Sequence, residues 1–272
     1  MSADRRAEPA GPAEPAERAE RTERDELYVG YLPKAPPRVA RWMRRVVPAL
    51  VAGAAATVAI VAALQAPFDP GVFEYGRPRA VQGTLLERPY PMLIEGAARS
   101  AGSLLVRQGK HGAAEDAAGL DGRRVRLEAT RIESPLGSML EIVSGILEIA
   151  SAETGAPSGV EALGRVSLAG EIVDSKCYLG VMKPGRGKPH RSCAARCLSG
   201  GVPPQLLVEA ADGSRRLLLL AAEDGSPLAP AEVVPLVGEP VEAEGSVERQ
   251  AGILVLRVAA GGLRRAGAAA SR

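Results

Sequence analysis

The chain has 272 residues, enough for one large or two small domains, and its 46% of apolar residues allow a buried core. Aromatics are only 3% and the net charge is +2, which excludes the broad basic footprint of a nucleic-acid-binding chain. The Ala, Gly, Arg and Pro bias reads as base composition, so propensity arguments resting on Ala or Arg alone are set aside.

Residues 1–27 mix charges with Pro and Ala and contain only two large apolar side chains, Met1 and Leu27. Such a stretch cannot pack a core, and a disordered tail is expected there. Residues 28–45 form a Pro-rich, then basic, juxtamembrane segment. Its patch at 28–33 reads either as a plain linker or as a short docking motif.

Residues 46–64 carry no charge at all. As a helix rising 1.5 Å per residue they would cross about 28 Å, close to the hydrocarbon thickness of a bilayer. A transmembrane helix is therefore expected at 46–66. Lys34, Arg38, Arg41, Arg44 and Arg45 precede it, while Asp69 and Glu74 are among the first charges after it. The positive-inside rule then puts the N-terminus in the cytoplasm and the remainder outside. The rival is a cleaved signal peptide. Its best cut, after Ala66, has Pro67 on the far side, which opposes processing.

From about residue 80 the chain alternates short apolar runs with Gly and charged residues. The runs 81–87, 104–106, 120–127 and 139–142 share a plan with 168–174, 206–208, 236–243 and 253–258. In both sets an apolar strand containing Gly83 or Gly170 ends at an acid, and Gly122 or Gly238 opens a later alternating strand. Asp212-Gly213 marks an extra hairpin in the second set, and a short helix is expected within 226–237. The fold class predicted is mainly β, with two small OB-like β-barrel repeats at 67–158 and 159–262 and a C-terminal tail at 263–272. An unrelated β-sandwich would share the same signals. OB-like barrels often take single-stranded nucleic acid on aromatic platforms. The strands here have almost no aromatics, so nucleic acid is rejected as a partner.

All three cysteines, Cys177, Cys193 and Cys197, and one of the two histidines, His190, fall within 21 consecutive positions. Pro189 suits a helix start and Gly200-Gly201 its stop, so His190, Cys193 and Cys197 would share one helical face, with Cys177 delivered from a strand end. Cβ atoms four residues apart on a helix are about 5–6 Å apart, while a disulfide needs about 3.5–4.5 Å. Cys193 and Cys197 therefore suit a shared metal better than a bond to each other. Zn²⁺ accepts a Cys₃His set, and thiolates with imidazole also suit copper. Met182 is a conceivable further soft donor. Outside the cytoplasm thiols usually pair, so a disulfide from Cys177 to Cys193 or Cys197 with one spare thiol stays open, as does thiol redox exchange. No Cys-x-x-Cys-His of a c-type haem occurs, and Gly185-Arg-Gly-Lys188 is not a phosphate-binding loop.

Lys176, Lys183, Arg186, Lys188, Arg191 and Arg196 place six bases and no acid between Ser175 and Val208. They form a candidate contact for an anion or an acidic partner face, or a solvated loop. His111 is expected in a loop and is given no role. The segment D-S-K-C-Y-L-G-V-M-K-P-G-R-G-K-P-H-R-S-C-A-A-R-C-L-S-G-G-V-P-P resembles that of a group of membrane-anchored bacterial proteins of unassigned function. The resemblance covers about thirty residues and implies a bacterial inner-membrane protein with Cys177, His190, Cys193 and Cys197 as its marked positions.

No Ser/His/Asp set, paired carboxylates or nucleotide fingerprint is visible, so an enzyme is not favoured. The expectation is a single-span accessory protein, its C-terminal domains periplasmic, whose Cys/His segment holds a metal or redox centre beside another membrane or periplasmic protein. The alternatives are a structural subunit with a disulfide-stapled basic loop, and a thiol-redox or metal-transfer protein.

Overall fold

The computed structural model describes residues 35–65, 70–96, 102–148 and 159–267, and the chain divides into two compact units, 1–67 and 68–272. The tail expected at 1–27 and the patch at 28–33 lie outside the described residues; of the C-terminal tail expected at 263–272, residues 263–267 are described, and 263–265 continue the last strand.

In the first unit, helix α1 runs Pro37–Leu64 and is long and apolar enough to cross a membrane. It begins well before residue 46 and takes in Arg38, Arg41, Arg44 and Arg45, which composition had assigned to the basic juxtamembrane segment. Pro37 at the first turn needs no hydrogen-bond partner there, and Ala, Arg and Met are good helix formers. Pro48 consequently lies inside the helix rather than at its start.

The second unit is built from strands. Its first half supplies β1 (Val72–Phe73), β2 (Arg79–Leu86), β3 (Met92–Glu95), β4 (Ser103–Arg107), β5 (His111–Gly112), β6 (Arg124–Ser134), β7 (Gly137–Ile142) and β8 (Leu147–Glu148). Its second half supplies β9 (Glu161–Asp174), β10 (Pro204–Glu209), β11 (Arg215–Ala222), β12 (Pro240–Gln250) and β13 (Ile253–Arg265). Strands β2, β3, β4, β7 and β6 close a barrel in that order, antiparallel except for β4 with β7. Strands β9, β10, β11, β13 and β12 close another, antiparallel except for β11 with β13. Counted along the chain, both barrels run 1-2-3-5-4 and back to 1. A short helix precedes each fourth strand: α2 (Ala114–Ala117) in the first barrel and, after α3 (Arg191–Ser199), α4 (Pro230–Val233) in the second.

That order corrects one sequence alignment. Residues 104–106 lie in a third strand and correspond to β11, not to 206–208. The second strand of the first barrel is β3, a short run with its first three residues buried. It shows no period-2 alternation and so gives no strand signal of its own. The paired glycines do occupy equivalent places. Gly83 and Gly170 leave no room for a Cβ against the carbonyls of Ile94 and Leu207 on the neighbouring strand. Gly122 and Gly238 both take φ +72° just before the fourth strand, which favours glycine. His111 lies in β5 rather than in a loop.

Alternation along the strands builds three cores. Leu105, Leu85 and Leu140 fill the first barrel, and Leu206, Leu218 and Leu220 fill the second. The opposite faces of the same strands, through Leu104, Val106, Leu207, Leu217 and Leu219, meet in a third core between the barrels. The run Leu217–Leu220 is apolar at every position because both its faces are covered. Hydrogen bonds cross the same seam: Leu228 N–H to the Tyr90 hydroxyl at 3.0 Å and Gly102 N–H to the Ala251 carbonyl at 2.8 Å. Cys177 and Cys197 belong to this inter-barrel core.

Candidate metal centre

The site grows from the end of β9. Its last residues are buried, and the chain leaves the strand at Asp174, which is fully buried. The Asp174 carboxylate ties down the segment beyond the strand: Oδ1 accepts the Cys177 N–H at 2.8 Å, and Oδ2 lies 2.9 Å from His190 Nε2. A wide turn over Cys177–Val181 carries the chain outward, and Met182 N–H closes it on the Cys177 carbonyl at 3.1 Å. A single 3₁₀ turn, Lys188–His190, then leads into α3. Cys193 and Cys197 stand one turn apart on α3, whose end is closed by Gly200 N–H on the Arg196 and Cys197 carbonyls.

The first barrel completes the site. Gly200 packs so closely on the Lys110 carbonyl, and Gly112 on that of Gly201, that neither glycine has room for a Cβ. Gly112 N–H also donates to the Gly200 carbonyl at 2.8 Å. This contact fixes the turn between β4 and β5 over the cysteines. Lys110 Nζ then lies 2.8 Å from Cys193 Sγ and 3.6 Å from Cys197 Sγ.

Cys177 Sγ is 3.8 Å from Cys193 Sγ and 3.9 Å from Cys197 Sγ. His190, Cys177 and Cys193 bring ligand atoms within 4.8 Å of one another, and so do Asp174, Cys177 and Cys197. All of these are buried except Cys193, which is half-buried. The sulfurs share charge unequally. The Cys177 thiol is pushed up by its hydrogen bond to Cys197 and by burial, while Cys197 is pushed down by accepting that bond and by the nearby Lys110. Lys110 is raised, first by its hydrogen bond to Cys193.

The three cysteines line a cleft of about 420 Å³ together with Lys110, Lys176, Glu141, Met182, Phe73 and Tyr75. At its floor Lys176 pairs with Glu141 of β7 and donates to the carbonyls of Arg107 at 2.9 Å and Gly109 at 2.6 Å.

The structure thus brings Cys177 together with His190 and Cys193 on the one hand and with Cys197 and Asp174 on the other. The six bases do not form one face. Lys176 is buried with Glu141, Arg186 pairs with Glu209 at 2.9 Å, and Arg191 pairs with Glu239 at 3.0 Å. Lys183, Lys188 and Arg196 are exposed, and Met182 is a half-exposed cleft residue. Sequence reasoning missed Asp174, Lys110 and Glu141. Asp174 was visible as the strand-ending acid before the first cysteine. Lys110 and Glu141 come from the other barrel and had no local signal.

Comparison of the chain with protein-family models, with curated proteins and with solved structures finds no match.

Proposed function

We propose that this is a membrane-anchored accessory protein whose two OB-like barrels, a tandem repeat, present a thiolate metal centre in the bacterial periplasm beside a partner membrane complex. The ligands are Cys177, Cys193, Cys197 and His190. The observation carrying this reading is the sulfur spacing. A tetrahedral ion with metal–sulfur bonds of about 2.3 Å has ligand–ligand edges of about 3.8 Å, and the two Cys177 separations are 3.8 and 3.9 Å. The Asp174–His190 bond supports it as well, because metal-bound imidazoles commonly give their other ring nitrogen to a carboxylate. Zinc and copper both suit the donor set.

The anchor is α1. Its charge flanks favour a cytoplasmic N-terminus and an outward C-terminal unit, where the cleft gives the centre access to a partner or to exchanging metal. Metal analysis of the detergent-solubilised full-length chain, with thiols counted before and after reduction, tests the reading. Stoichiometric metal with three titratable thiols after its removal is the expected result. One disulfide, one thiol and no bound metal would instead establish a stapled structural subunit.

A further inference from the structure

Asp174 is a buried anion that the Cys₃His set uses only as a hydrogen-bond partner of His190. Its position divides the ligands. Among the described residues no single group takes in all three cysteines and His190. The ligand atoms fall into two triples, Cys177 with His190 and Cys193, and Cys177 with Cys197 and Asp174. A single tetrahedral ion would draw His190, Cys193 and Cys197 to one point. Here His190 joins Cys177 and Cys193, Asp174 joins Cys177 and Cys197, and Cys177 is common to both triples.

We propose that the centre holds two divalent transition-metal ions bridged by the Cys177 thiolate, one also bound by Cys193 and His190, the other by Cys197 and Asp174. This rests on the metal-centre reading above and specifies its nuclearity. Cys177 is placed for the bridging role, since its sulfur is 3.8 Å from one terminal sulfur and 3.9 Å from the other. A thiolate keeps enough lone pairs to bind two ions. Each carboxylate oxygen of Asp174 likewise has a second lone pair beyond the bond it already makes to Cys177 N–H or His190. His190 presents Nε2 to Asp174, leaving Nδ1 for its ion.

Charge favours the same count. Three thiolates and one carboxylate bring four negative charges into a largely buried site, where uncompensated charge is costly. Lys176 is already matched by Glu141, so among the described residues Lys110 is the cation left beside the sulfurs. One divalent ion with Lys110 leaves a negative charge over, whereas two divalent ions balance the set. Lys110 is exposed and borders the cleft, so its ammonium can withdraw toward solvent as the ions enter. The cleft supplies water for the open coordination positions.

The test is a Co²⁺ titration of the reduced, metal-free full-length chain in detergent, followed by thiolate-to-cobalt absorption, bound-metal analysis and electron paramagnetic resonance. Two Co²⁺ per chain are expected, with the resonance growing over the first equivalent and falling over the second as the ions couple through Cys177. Asp174→Asn and Cys197→Ser should each stop at one uncoupled ion. Wild-type saturation at one Co²⁺, or two ions without coupling, overturns this inference and leaves the metal reading standing. Absence of any Co²⁺–thiolate absorption overturns both. The wild-type stoichiometry decides the matter even if neither variant folds.

Discussion

Lys110 reaches Cys193 from the opposite barrel, its ammonium 2.8 Å from the sulfur and 83 residues away along the chain. The first barrel is therefore part of the site rather than a spacer. Its contribution depends on a glycine-lined contact, with Gly112 N–H on the Gly200 carbonyl and Gly200 against Lys110.

Replacing Lys110 tests its electrostatic role directly. Cys197 is held down by the Cys177 hydrogen bond and also by the charge of Lys110, so Lys110→Met should raise the pH at which the metal-free cluster ionises. Thiolate ultraviolet absorbance against pH reads this, and Lys110→Arg should largely restore the wild-type curve. The sign on stability comes from the upward shift of Lys110. Its proton is held more firmly in the folded chain, so its contribution is complete at neutral pH and is lost only in strongly alkaline solution.

The Gly200 contact has a steric consequence. A Cβ there would run into the Lys110 carbonyl, so Gly200→Ala forces α3 and the β4–β5 turn apart. Overpacking of this kind costs about 1–3 kcal/mol. Urea unfolding should show that loss, and the thiolate absorbance curve should move toward that of Lys110→Met because the ammonium is displaced. A stability loss with no change in thiol ionisation would show that Lys110 does not depend on this contact.

Much of the site could be read from the sequence, and the exceptions have physical reasons. Cys177, His190, Cys193 and Cys197 lie in one segment whose helix signals, Pro189 and Gly200, are local, so their convergence followed from spacing. Lys110 and Glu141 enter through barrel-on-barrel packing, which no local period encodes. The six bases read as a run without acids because the partners of three of them, Glu141, Glu209 and Glu239, lie outside the segment. Barrel strands with one covered face alternated and were legible. β3 and the Leu217–Leu220 run, buried on two sides, carried no alternation.

The Lys176–Glu141 pair joins the barrels at side-chain exposures of 4% and 8%. Removing one member leaves a buried charge alone, so Lys176→Met should destabilise the fold by about 3–5 kcal/mol. The double variant Lys176→Met with Glu141→Leu should recover much of that, because an apolar pair costs no charge desolvation. Recovery will be partial, since Lys176 also serves the Arg107 and Gly109 carbonyls. Chemical denaturation of the two singles and the double gives the coupling.

Tyr90 offers a separate probe of the same seam. Its hydroxyl accepts the Leu228 N–H at 3.0 Å, and both residues are buried. Tyr90→Phe leaves that N–H unpaired and should cost about 1–3 kcal/mol at neutral pH. The pH dependence adds a second signature. Burial pushes the Tyr90 phenol well above its ordinary value of 10.0. The unfolded chain therefore ionises first, and the stability that the neutral phenol contributes is intact below pH 10.0 and declines above it. The Phe variant lacks this term, so the gap between the two stability curves should be constant through neutral pH and narrow in alkaline solution. A gap that stays constant to high pH would mean that Tyr90 is as free to ionise in the folded chain as in the unfolded one, and that the seam is open to solvent at that point.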